Sequence, residues 1–138
     1  MFNFFKFGGS KMRLLTKRKN DIYYFCCLIE YIARMTNNHR STIIGYFDNS
    51  DIQWQLRVAC ANSCLSIEQV SSELIDYFDI KGGNYIRDKD IDKVYNVETI
   101  GRLLQTGIVA LIDSRKGIIH SIREVLETPI NELYSEIE

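Results

Sequence analysis

Residues 22–35, within DIYYFCCLIEYIARM, contain no Gly and no Pro, and almost every side chain is apolar. One stripe, Ile22, Phe25, Cys26, Ile29, Ile32 and Ala33, and a second, Tyr24, Leu28, Tyr31 and Met35, both repeat at helical spacing. They leave only a narrow polar strip with Glu30 and Arg34. A helix that is apolar almost all round has to be surrounded by other elements, so the rest of the chain must be laid against this one. Asn20 or Asp21 is the expected N-cap. Thr36-Asn37-Asn38 is the expected stop, with a short helix over 41–47 after it. The stretch is too short, and too interrupted by charge, to cross a bilayer.

The remaining chain offers suitable partners. A length of 138 residues favours one domain, and a hydrophobic fraction of 46% supplies a core. Asp48-Asn49-Ser50 reads as a turn and cap ahead of a helix over 51–63, with stripes Ile52, Leu56, Cys60 and Trp54, Val58, Ala61. Ser66 and Gln69 have the spacing of a capping box. They open an amphipathic helix whose apolar face is Ile67, Val70, Leu74, Ile75 and Phe78, with Glu68, Glu73 and Asp76 largely away from it. Lys81-Gly82-Gly83 should end that region, glycine being able to take positive φ. Residues 84–96 are polar and charge-rich, and 97–105 read as helix. The run TGIVALI over 106–112 fits a strand as well as a helix. Gly117 precedes a helix over 118–127 with Ile119, Ile122, Val125 and Leu126 inside, and Thr128-Pro129 is a suitable start for a last helix over 130–137. The expected fold is mainly α: a compact bundle of five to seven helices around residues 22–35. It leaves room for one short β-hairpin, near 84–97 or 106–112.

Charge divides the chain. Residues 1–20 hold Lys6, Lys11, Arg13, Lys17, Arg18 and Lys19 and no acid, while the remainder sets eleven bases against all eighteen acids. The expected organisation is therefore a basic, Phe-rich N-terminal arm over 1–20 and a single, acidic helical domain over 21–138. Within the arm, Phe2, Phe4, Phe5 and Phe7 precede an expected break at Gly8-Gly9-Ser10. Such a segment can fold back on its own body, bury its phenylalanines in a protein partner, or attach to nucleic acid or an anionic membrane through its bases. Phe2, Phe4, Phe5, Phe7, Lys17, Arg18 and Lys19 are the candidate partner-binding residues.

Motifs for chemistry are sparse. Cys26, Cys27, Cys60 and Cys64, with His39 and His120, lack the usual spacings of zinc ligands. They read as core thiols in a reducing cytoplasm, since no signal peptide precedes them. No metal or cofactor is expected. The helix over 67–78 bears acids and no base, which is wrong for reading DNA. Gly82-Gly83 and Gly8-Gly9 lack the strand-to-helix setting of a nucleotide loop.

Two resemblances add to this. Arg34 and His39 match the R-x4-6-H pattern, which resembles that of the HEPN helical-bundle ribonucleases. That likeness implies RNA cleavage at a dimer seam, with Arg34 steadying phosphate and His39 transferring a proton. Separately, IEYIARMTNNHRSTIIGYF, IEQVSSELIDYF and IREVLETPINELYSEI together resemble small bacterial helical proteins that accompany toxin–antitoxin-like or mobile-element genes. This second likeness implies a helical, partner-binding protein of antitoxin type and supplies no catalytic residue. The favoured expectation is a non-enzymatic regulatory or interaction protein, with homo-oligomers allowed. A HEPN-like ribonuclease is the alternative.

Overall fold

The structure is a computed structural model, and it describes residues 4–87 and 95–129, with side chains from Lys17 onward. Among the described residues there are six helices and no strand: α1 Phe4–Thr36, α2 Arg40–Ile44, α3 Asn49–Asn62, α4 Ile67–Phe78, α5 Val97–Asp113 and α6 Ile118–Glu127. α1 is the axis, with α2, α3, α4 and α5 packed against it, and α6 closes over α5, α2 and α3. The mainly helical bundle expected from the hydrophobic periodicity is the fold observed.

The first stripe of the central helix is wholly inside: Ile22, Phe25, Cys26, Ile29, Ile32 and Ala33 are buried, as is Leu28 from the second stripe. Tyr24 and Tyr31 are half-buried, and Met35 reaches the surface. Around this helix the core is completed by Ile43, Ile44 and Phe47, by Ile52, Val70 and Leu74, and by Ile100, Leu104, Ile108, Ile122, Val125 and Leu126.

Several boundaries differ from expectation. The central helix does not begin at Asn20 or Asp21 but runs without interruption from Phe4, straight through Gly8-Gly9-Ser10. Each glycine costs a helix about 1 kcal/mol relative to alanine, well short of the roughly 3 kcal/mol of a proline, and Lys, Met, Arg and Leu on the C-terminal side are good helix formers. The run over 106–112 is helical, as the second half of α5, so the hairpin expected there is absent. Ile100 and Gly101, Leu104 and Gln105, and Gly107 and Ile108 are all buried, neighbouring pairs that recur at each turn of one helical face and that a strand would have split between its two faces. Residues 88–94, part of the other hairpin position, and the last helix expected over 130–137 lie outside the described residues.

Side-chain caps account for the starts of α3, α4 and α5. Asp48 Oδ1 accepts from Asp51 N at 2.8 Å while Asp51 Oδ2 accepts from Asp48 N at 2.9 Å, a reciprocal capping box. Ser66 Oγ accepts from Gln69 N, and Asn96 Oδ1 from Thr99 N. At the end of α4 it is Asp79, with φ 52°, that turns the chain left-handed, and no described glycine has positive φ. Gly83 serves a different need. The chain after α4 crosses the end of α1 there so closely that a Cβ would overlap the Asn38 side chain.

That crossing finishes α1. Gly83 N donates to Thr36 O and Tyr85 N to Asn37 O, both at 2.8 Å. Asn38 Nδ2 donates to Lys81 O and Thr36 Oγ1, each at 2.9 Å. The carbonyls that any helix end leaves unmet are thus taken up by a strap from the α4–α5 connection.

Candidate partner-binding site

Two places concentrate unusual side chains: a groove between α3 and α4, and a polar cluster where α1 meets α2. The groove has a volume of about 580 Å³. Asp51, Trp54 and Gln55 of α3 form one wall, and Val70, Glu73, Leu74, Tyr77 and Phe78 of α4 the other. Val70 and Leu74 are turned into the core, but Trp54 is 55% exposed and Tyr77 77% exposed.

An aromatic series connects this groove to the centre of the protein. Phe25 meets Phe47 edge-on at 5.9 Å, Phe47 meets Phe78 at 4.5 Å, and Phe78 meets Tyr77 edge-on at 4.9 Å. The outermost ring is thereby braced from inside while its face stays in water. The surroundings are acidic: α3 and α4 carry Asp51, Glu68, Glu73 and Asp76 against the single base Arg57, which lies over the Trp54 ring at 5.9 Å. Gln55 contributes a buried Oε1 with no hydrogen-bond partner among the described residues. Such a surface suits an apolar ligand carrying positive charge or donors.

The helical period puts Trp54 on one of the two apolar stripes of α3. α3 instead turns Ile52 and Ala59 fully inward, with Leu56 packed partly against the core. Cys60 is likewise exposed, as is Cys64, so the expectation of four core thiols holds only for Cys26 and Cys27. Among the described residues no three His, Cys, Asp or Glu side chains converge as a metal site.

The second place is built around Glu30, buried at 0% exposure. Arg34, one turn on, donates Nε to Glu30 Oε2 at 2.8 Å and Nη2 to Tyr95 O at 2.8 Å. Arg40 from α2 is also fully buried and brings its Nε to 3.6 Å from Glu30 Oε1. His39 is the N-cap of α2: its Nδ1 lies 3.1 Å from Ser41 N and 2.8 Å from Ser41 Oγ. Its Nε2 lies 3.3 Å from Arg40 Nη1, and its ring packs edge-on against Tyr85 at 5.0 Å. Arg34 and His39 therefore belong to one polar cluster, and each has contacts that hold elements together: Arg34 ties α1 to the approach to α5, and His39 starts α2. Both ring nitrogens of His39 are met from within the chain, whereas proton transfer to a substrate needs one to reach outward.

The basic residues expected on an arm are placed on α1. Lys17 pairs with Asp21 at 2.8 Å, and this hydrogen bond, with the charge beside it, raises the pKa of the ammonium. Arg18 and Lys19 join Lys116 at a cavity of about 210 Å³ floored by Ile22, Val109, Ile112 and Ile118. Gln105 Nε2 donates to Lys19 O at 2.8 Å, fixing α5 to this end of α1. Phe4, Phe5 and Phe7 lie on the helical backbone of α1, with side chains outside the described ones, and Phe2 lies outside the described residues altogether.

No helix among the described residues is long and apolar enough to cross a membrane. Comparison with protein-family models, with curated proteins and with solved structures finds no match to this chain.

Proposed function

We propose that this is a non-enzymatic protein-interaction module, which engages a protein partner through the α3–α4 face of its acidic body together with its aromatic N-terminal segment. The observation that carries the reading is the pair Trp54 and Tyr77, left more than half exposed across a groove and braced by rings that reach the core. Aromatic side chains bury about 150–250 Å² each, and at about 25 cal/mol per Å² the two rings represent a large share of a typical interface energy before ordering costs. Isolated exposed apolar residues are ordinary, but two rings facing one acidic groove form a patch of the kind partners use. A regulator of antitoxin type is one instance of such a module.

The contacts of Arg34 and His39 support the same reading, because they account for both residues without a substrate. The test compares the full chain with Trp54→Ala and Tyr77→Ala. Both variants should melt close to the parent and lose binding to a protein partner by about tenfold or more. Binding that survives both substitutions would remove the groove from the interface. RNA cleavage by the purified chain, abolished in His39→Ala at an unchanged melting temperature, would replace this reading with the HEPN-like ribonuclease.

A further inference from the structure

We infer that the α3–α4 groove receives the N-terminal segment of a second copy of this chain, so that the module pairs with itself by reciprocal exchange of its basic, Phe-rich ends. The inference rests on the interaction-module reading and names the partner of that site.

Charge complementarity selects the occupant. The groove brings Asp51 and Glu73 beside Trp54 and Tyr77, and Asp76 lies exposed on the same helix. A ligand for it should combine large apolar side chains with positive charge. Residues 2–13 of this sequence do so, with four phenylalanines, three bases and no acid. Two grooves meeting face to face would instead oppose carboxylates to carboxylates, which disfavours a symmetric groove-to-groove contact.

Geometry makes the donor a second molecule. Tyr24 of α1 donates its hydroxyl to Asn62 O, so the C-terminal end of α3 lies beside the middle of α1. Lys17, further toward the start of α1, lies near Cys60. From Lys17 the helix runs on unbroken to Phe4, which at 1.5 Å per residue is roughly 20 Å. The backbone of residues 4–7 is therefore carried away from the protomer's own Asp51 and Tyr77 for as long as α1 stays one helix. A second copy meets no such restriction, and mutual exchange gives two equivalent contacts and a closed dimer rather than a fibre.

The test uses the full chain and its single tryptophan, Trp54, which reports on the groove directly. Sedimentation should show a monomer–dimer equilibrium whose dissociation constant rises several-fold between roughly 50 and 500 mM salt, with Trp54 emission shifting to the blue on association. Reversing charge in the segment, with Lys6→Glu, Lys11→Glu and Arg13→Glu together, should weaken self-association by about tenfold or more. Reversing it at Glu73 in the groove and at Asp76, exposed on the same helix, both to Lys, should do the same. An equimolar mixture of the two variants should associate again, because each then offers what the other accepts. A wild-type chain that stays monomeric at high concentration overturns the inference. So does a dimer whose Trp54 emission does not move, or a variant mixture that does not re-associate. If the chain is monomeric and Tyr77→Ala still abolishes binding to a different protein, self-pairing fails while the interaction-module reading stands. If Trp54 and Tyr77 affect no binding at all, both fall.

Discussion

Arg40 Nε lies 3.6 Å from Glu30 Oε1 with both side chains fully buried, so the junction of α1 and α2 is closed by an ion pair that water does not reach. Glu30 also holds Arg34 on its other oxygen, at 2.8 Å. Taking charges out of water is costly, and such a pair persists only where the partners compensate one another. Removing one member takes that compensation from the other.

Glu30→Gln should therefore destabilise the protein by about 3–5 kcal/mol, a loss out of proportion to the loss of one charge at nearly constant shape. Adding Arg40→Met should recover part of this, because the buried charge that Glu30 balanced goes too. Urea unfolding of the single and double variants measures the coupling. A Glu30→Gln protein within about 1 kcal/mol of the parent would mean that the pair does not close this junction.

A close approach is equally testable on the other side of α1. A Cβ on Gly101 would lie 2.5 Å from Cys27 Sγ and 3.3 Å from the ring of Tyr23. Gly101→Ala should gain about 1 kcal/mol of helix propensity and lose more than that to overpacking, for a net loss of about 1–2 kcal/mol. With Cys27→Ala in the background, the same substitution should become neutral or stabilising. Equal effects in both backgrounds would show that α5 yields without strain.

The same face of α1 sets a pH response. Burial, more than any neighbour, pushes the thiols of Cys26 and Cys27 above the ordinary 9.0 and the Tyr23 hydroxyl up to about 12. Each folded pKa is raised, so the fold favours the protonated form. Their contribution is complete below the unfolded values and is lost as pH climbs from those toward the folded ones. The urea midpoint should hold steady from about pH 7 to 8.5 and fall above about pH 9. Cys26→Ala should start lower and fall less steeply. A slope unchanged by that substitution would assign the alkaline loss to other groups.

How far the sequence could be read follows from which interactions are local. The stripes of α1, α4 and α6 come from side chains a turn apart on one helix, and Ile29, Leu74 and Ile122 lie where that spacing puts them. Glu30 and Arg34 were visible as a pair at helical spacing. The burial of Arg40 was not, since its counter-charge sits on another helix and nothing in RSTIIGYF announces it. Trp54 was misplaced because two overlapping stripes on α3 both satisfy the helical period, and only the packing of α1 and α6 selects the face with Ile52, together with Ala59, which neither stripe included. Gly83 was assigned a turn when its role is contact distance, which depends on where Asn38 comes to lie. Half of the candidate site was legible in this sense: α4, its acids and its apolar face were clear. The exposed aromatic pair required knowing how α3 is rotated.

The strap after α4 has a consequence for the order in which the protein can be completed. Thr36 and Asn37 end the longest helix, yet the amides that receive their carbonyls belong to Gly83 and Tyr85. A chain made only as far as Asp79 already contains all of α1, the helices of one flank and most of the buried side chains of its first half. It still lacks the groups that close off the helix on which they assemble. The element that the others gather around is thus begun first and finished late, and its last turn records whether the second half of the chain has arrived.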